Sequence, residues 1–167
     1  MSAWLSERAG HRSDVRWVVP ETMHVTLKFC GERQNDTVEL LKKNLSMIVP
    51  RGPFNIGAEG VGGFPSLLKA RIIWTAINGD IPELKVLQKT VERAAAHSGI
   101  LPETRPYSPH LTLGRRSSYG AIDEDTLSDI NGAALSVDPW QVDEIILMRS
   151  ELHHTGPVYT KLGVFKI

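Results

Sequence analysis

His-Val-Thr-Leu at residues 24–27 and His-Leu-Thr-Leu at residues 110–113 are one pattern written twice, 86 residues apart, each shortly after a proline. At background residue frequencies a His-x-Thr-Leu string arises by chance at on the order of one position in ten thousand, so two copies in 167 residues ask for a common cause. In an extended strand, side chains at i and i+2 share one face. His24, Thr26 and Lys28 then point one way, while Val25, Leu27 and Phe29 form an apolar row fit for burial. In the second copy His110 and Thr112 share a face, and Leu111 and Leu113 supply the buried row. Each copy therefore presents an imidazole beside a hydroxyl on a half-buried strand. Brought together across a cleft, two imidazoles make a general acid and a general base, because histidine's ordinary pKa of about 6.5 lets one be protonated and the other neutral near pH 7. Two threonine hydroxyls can donate hydrogen bonds to an anion held between them.

Outward from the two strings, strands and helices alternate. Val15 to Val18 and Met23 to Cys30 read as strands, and Asn35 to Ile48 has helical periodicity through Val38, Leu41, Leu45 and Ile48, with Asp36 as a cap. Phe54 to Gly62 is glycine-rich and alternating. Arg71 to Ile77 reads as a strand with Ile73, Thr75 and Ile77 on one face. Ile81 to His97 is a second helix, stopped by Ser98-Gly99. After the motif strand at 110–113 come a short helix over Asp123 to Ile130 and strands over Ala134 to Val137, Gln141 to Arg149 and Val158 to Val164. The order implies an α+β protein, one domain over residues 1–167. Its expected form is two pseudo-symmetric lobes of antiparallel sheet with helices outside and a central groove carrying the two motif strands.

Composition agrees with one compact domain, since 167 residues with 41% hydrophobic content suffice for one substantial core. The 19 basic and 19 acidic residues balance. That argues against tight sequence-independent binding to duplex nucleic acid but allows a small cleft gripping one or two phosphates. The single cysteine, Cys30, reads as a buried, inert thiol and excludes an intramolecular disulfide. No signal peptide and no long apolar run are visible, so a cytoplasmic protein without a membrane segment is expected.

Threonine suits strands on its own account, but Thr26 and Thr112, each two residues after a histidine, read as phosphate contacts. Lys28 has the correct face for the same role and equally suits a solvated edge. Tyr107, Phe64 and Trp74 are candidates to stack a nucleobase, although Trp74 fits a core at least as well. His153-His154 reads as a solvated turn before Thr155-Gly156-Pro157, because adjacent residues on an extended chain point apart. His11 and His97 sit near helix ends without partners. With no cysteine cluster, no His-x-x-x-His and no acidic ligand set, no metal and no cofactor is expected.

The strings, with the contexts Pro20-Glu21-Thr22-Met23-His24 and Arg105-Pro106-Tyr107-Ser108-Pro109-His110, resemble the two-histidine phosphoesterases. The closest resemblance is to the LigT-like RNA 2′,3′-cyclic phosphodiesterases, also called 2′-5′ RNA ligases. It extends through Arg16-Trp17-Val18, Gly31-Glu32, Gly63-Phe64-Pro65, Arg71-Ile72-Ile73-Trp74, and Asp143-Glu144-Ile145 to Ser150. Members of that family usually open with an apolar strand and a complete helix. Here only Met1 to Arg12 precede the Arg-Trp-Val segment and read as the tail of a helix, so the opening strand is expected to be missing.

The resemblance implies a metal-independent enzyme that hydrolyses 2′,3′-cyclic phosphate RNA ends to 2′-phosphomonoesters and runs backwards as a 2′-5′ RNA ligase. It assigns His110 as base and His24 as acid, which the near symmetry of the motifs leaves open. It also implies that Arg115 contacts the phosphate. By strict alternation Arg115 shares the face of Leu111 and Leu113, so reaching the groove requires a bulge, which Gly114 permits. Arg116 is in register but lacks the family's support. The expected partner is an RNA or oligonucleotide end, with no obligate protein partner. The competing readings are a phosphodiesterase for small nucleotides such as ADP-ribose cyclic phosphate, and a non-catalytic module that binds RNA ends.

Overall fold

Ile73, Thr75 and Ile77 are 0, 0 and 8% exposed in the computed structural model, while Ile72, Trp74 and Ala76 between them are half-buried on the opposite face. Residues 5, 15–116, 124, 127–128, 130, 135–154 and 156–167 are described. The alternating strand is β3 (Ile72–Gly79). It joins β1 (Val15–Trp17), β2 (Phe54–Phe64), β4 (His110–Arg116) and β5 (Ser136–Val142) in a sheet ordered β1-β4-β3-β2-β5. The β1–β4, β4–β3 and β3–β2 pairs are antiparallel. A second antiparallel sheet pairs β6 (Glu144–His153) with β7 (Gly156–Lys166), and two helices that lie wholly within the described residues are α1 (Asn35–Ser46) and α2 (Ile81–His97). The α+β class read from the sequence holds.

Two compact units divide the chain. One takes Met1–Thr26, Ile56–Gly79 and Ser108–Trp140, the other Leu27–Asn55, Asp80–Tyr107 and Gln141–Ile167. The first unit's core gathers Val15, Ala70, Ile73, Leu113 and Leu135, with Trp17, Met23 and Val61 against them. In the second unit Leu41 and Leu45 of α1 and Leu87, Val91, Ala94 and Ala95 of α2 pack with Ile145 and Ile167. The helices bury only their stripe at three- and four-residue spacing. Each buried Leu, Ile or Val there contributes roughly 1.5–3 kcal/mol. α2 matches its expected span and ends where the Gly99 N–H bonds the Ala96 carbonyl and the Ile100 N–H the Ala95 carbonyl. This closure needs the left-handed backbone that Gly99 supplies at φ +79°.

Four expectations change. Met23 to Cys30 is not a strand; only Val25 forms a bridge, and past Thr26 the alternation inverts. Phe29 is 82% exposed and the Lys28 side chain only 5%. Lys28 turns inward because its ammonium bonds the Glu92 carboxylate on α2 and the Leu101 carbonyl at 2.8 Å. Asp36 is not the cap of α1, which begins one residue earlier with Gln34 at the cap position. The strands expected over 134–137 and 141–149 are instead Ser136–Val142 and Glu144–His153. β5 runs through Pro139 at the sheet's edge, the position where strands accommodate proline. His153 and His154 are exposed at the turn between β6 and β7, as read. The readings of Met1 to Arg12 and of Asp123 to Ile130 fall largely outside the described residues.

Candidate active site

His24, Thr26, His110, Thr112 and Arg115 all belong to the first unit. An antiparallel bridge joins Val25 to Leu111 at the centre of the two motifs. Continuing its register by one residue each way sets His24 opposite Thr112 and Thr26 opposite His110. Directly opposed residues on antiparallel strands project to the same side. The two imidazoles and two hydroxyls therefore share a face as a square with local two-fold symmetry, and Leu111, 4% exposed, anchors the reverse side in the core.

Both imidazoles are tied the same way. His24 Nδ1 lies 2.9 Å from the Thr22 carbonyl and His110 Nδ1 2.8 Å from the Ser108 carbonyl, each two residues upstream. A carbonyl only accepts, so Nδ1 carries the proton in each ring and Nε2 is the nitrogen that takes up or releases one. The repeated upstream prolines fit this arrangement. A short 3-10 turn over Pro20–Thr22 leads into His24, and Ser108-Pro109 leads into His110. These acceptors are backbone atoms, so no residue type announced them.

Arg115 reaches the same face through a bulge. On β3, Ile73 pairs with Gly114 and Trp74 with Thr112, which leaves Leu113 as the extra residue of β4. Leu113 is fully buried, and Arg115, paired with Ile72, is thrown to the side of Thr112 and His110. Gly114 is needed at this crossing, because a Cβ there would meet Val15 Cγ1 at 2.6 Å.

Of the aromatic candidates, two stand at the histidine. The Phe64 ring is 5.3 Å from His110, edge-on at 77°, and 5.1 Å from Trp74, whose own ring is 6.2 Å from His110. Trp74 lies over Gly62, where a Cβ would come within 2.3 Å of the indole. Tyr107 falls in the second unit. Its hydroxyl is buried without a partner among the described residues, and burial pushes its pKa up to about 12. Cys30 is half-buried, and burial pushes its thiol upward despite the nearby Lys28 ammonium and Arg33 guanidinium, as an inert thiol requires.

The cavities of about 290 and 600 Å³ lie elsewhere, beside α1 and α2 in the second unit. In the smaller of them the lining charges Arg51 and Glu83 engage each other at 3.8 Å, so the histidine face is the better candidate. Among the described residues no three His, Cys, Asp or Glu side chains gather as metal ligands would, and no helix is long and apolar enough to cross a membrane.

A family profile described as the 2′-5′ RNA ligase superfamily matches residues 8–154. The chain is 34% identical over 160 residues to an RNA 2′,3′-cyclic phosphodiesterase of Methanothermobacter thermautotrophicus, covering 93% of this chain and 84% of that protein. It is 33% identical over 155 residues to the protein of the same name from Aquifex aeolicus, covering 90% and 80%. Among solved structures, E. coli LigT complexed with 3′-AMP shares the fold with a TM-score of 0.75 at 22% identity, covering 100% of this chain and 92% of that one.

Proposed function

Because this chain belongs to the 2′-5′ RNA ligase superfamily, we propose that it is an RNA 2′,3′-cyclic phosphodiesterase acting on RNA ends in the cytoplasm, within a single domain. The observation that carries the reading is the bridged pair of motifs, which sets two imidazole–hydroxyl pairs on one face with both Nδ1 atoms committed to carbonyls.

A 2′,3′-cyclic phosphate is a strained, singly charged diester. It reacts without a metal when its nonbridging oxygens are held and protons are handled at both ends of the displacement. Neutral His110 takes a proton from water at Nε2 as the water oxygen bonds to phosphorus. The bond from phosphorus to the ribose 3′ oxygen breaks, and His24, protonated at Nε2, gives its proton to that oxygen. The product is a 2′-phosphomonoester with a free 3′ hydroxyl, and proton exchange with solvent resets both rings. Thr26 and Thr112 donate to the nonbridging oxygens, and Arg115 neutralises their charge. A ribose 5′ hydroxyl attacking phosphorus in place of water, with the same proton transfers and the same cleavage of the bond to the 3′ oxygen, yields a 2′-5′ linkage. The assignment of acid and base follows the family resemblance.

The test is hydrolysis of an RNA oligonucleotide ending in 2′,3′-cyclic phosphate with EDTA present. Wild type is expected to form the 2′-phosphate with a bell-shaped pH profile, and His24→Ala and His110→Ala each to lose at least a hundredfold in kcat. Chelator-sensitive turnover, or activity retained by either variant, contradicts the scheme.

A further inference from the structure

Arg115 has a neighbour that the scheme above leaves unused. On β1, Arg16 pairs directly with Arg115, between the pairs Val15–Arg116 and Trp17–Gly114. Val15, 6% exposed, and Trp17 face the core, so the exposed Arg16 projects to the opposite side, that of Arg115, Thr112 and His24. Two guanidiniums thus stand abreast at the sheet's edge, on the face that carries the histidines. Like charges directly opposed on neighbouring strands are destabilising. Among the described residues neither arginine has a carboxylate partner. The chain's charges balance at 19 against 19, so the pairing is no by-product of a generally basic surface. What reconciles two such cations is an anion between or above them.

The register also says which anion. Thr112 lies opposite Trp74 and Arg115 opposite Ile72, two residues further along β3, which is a displacement of about 7 Å. Arg16 stands at that same level, one strand further out. This is about one nucleotide's reach from the square of histidines and threonines. On an RNA end whose terminal cyclic phosphate occupies the square, the only other phosphate so near is the internucleotide phosphate on the 5′ side. We infer that Arg16 binds this penultimate phosphate, with Arg115 between the two anions, and so makes the site selective for oligonucleotide ends over mononucleotides. This inference rests on the proposed site but not on its turnover.

The experiment is equilibrium binding to the full chain, by calorimetry, of a trinucleotide carrying a terminal 2′-phosphate and of the nucleoside 2′-phosphate alone, for wild type, Arg16→Gln and Arg16→Lys. Arg16→Gln is expected to weaken the trinucleotide about tenfold and leave the nucleoside phosphate within twofold. It also lowers the salt-dependence slope for the trinucleotide by about 0.7, the contribution of one single-strand phosphate contact. Arg16→Lys restores most of the slope. Equal weakening of both ligands puts Arg16 on the reacting phosphate and overturns the inference. Unchanged binding of both, or no preference of wild type for the trinucleotide, overturns it as well. Hydrolysis assayed in parallel separates the two claims, since a chain that binds with this pattern and never turns over refutes the phosphodiesterase reading alone.

Discussion

Lys28 follows the first motif at the spacing of a third site residue, yet it is built in as a structural pin, and a double-mutant cycle tells these roles apart. Its side chain is 5% exposed and that of Glu92 19%. The ammonium bonds the Glu92 carboxylate and the Leu101 carbonyl, while Glu92 also accepts the Glu103 N–H at 2.8 Å. Removing one partner of a buried pair strands the other charge at a cost of about 3–5 kcal/mol. Glu92→Ala belongs at the low end, about 3 kcal/mol, because Lys28 keeps one carbonyl and the site is not fully sealed. Lys28→Met costs less, about 1–2 kcal/mol, because the carboxylate keeps a backbone donor and some water. Replacing both as Lys28→Met/Glu92→Leu falls within about 1 kcal/mol of wild type, since apolar groups of similar volume need no partner. With a urea slope of about 2 kcal/mol/M, Glu92→Ala lowers the unfolding midpoint by about 1.5 M, read by circular dichroism. Below the unfolding range Lys28→Met keeps its turnover within about threefold. A midpoint shift under about 0.3 M for Glu92→Ala, additive losses in the double variant, or a hundredfold loss of kcat in Lys28→Met each refute the reasoning.

The shared tautomer is readable by nitrogen NMR above the histidine titration range, where His24 and His110 are both expected to show a protonated Nδ1 and an unprotonated Nε2. The opposite tautomer in either ring contradicts the carbonyl contacts. Tyr107 governs an alkaline limb of stability. The fold holds its phenol neutral up to about pH 12, whereas the unfolded chain releases that proton near 10, so stability falls as pH rises between those values. Tyr107→Phe removes that share of the fall and, by deleting a buried hydroxyl without a partner, raises stability near pH 7 by up to about 1 kcal/mol. An alkaline limb identical in both proteins shows that the phenol is not held neutral.

Local pattern was legible wherever a local cause sufficed. α2 was read to the residue because its stripe, its early Pro82 and the Ser98-Gly99 stop are all features of neighbouring residues. The likeness of the two motifs was legible because the His-x-Thr-Leu pattern repeats in the chain itself, although only the second copy lies in a strand. What failed depended on distant partners. The apolar alternation of Val25, Leu27 and Phe29 is real in the sequence, but it cannot state that Lys28 will meet a carboxylate 64 positions away, and that meeting turns Lys28 in and Phe29 out. The strand expected to stop at Val137 runs on through Pro139 to Val142, because alternation does not tell an edge strand from a central one. Arg115 shows the converse. Period-two reading put it on the buried face, and Gly114 was the one cue to a bulge. The bulge is fixed by pairing with β3, whose register leaves Leu113 unpaired. Arg16 lies within a segment that resembles the family, but its meaning lies in the residue opposite, 99 positions later. The chemistry of this face is thus written in cross-strand pairs, and a sequence states only one member of each pair at a time.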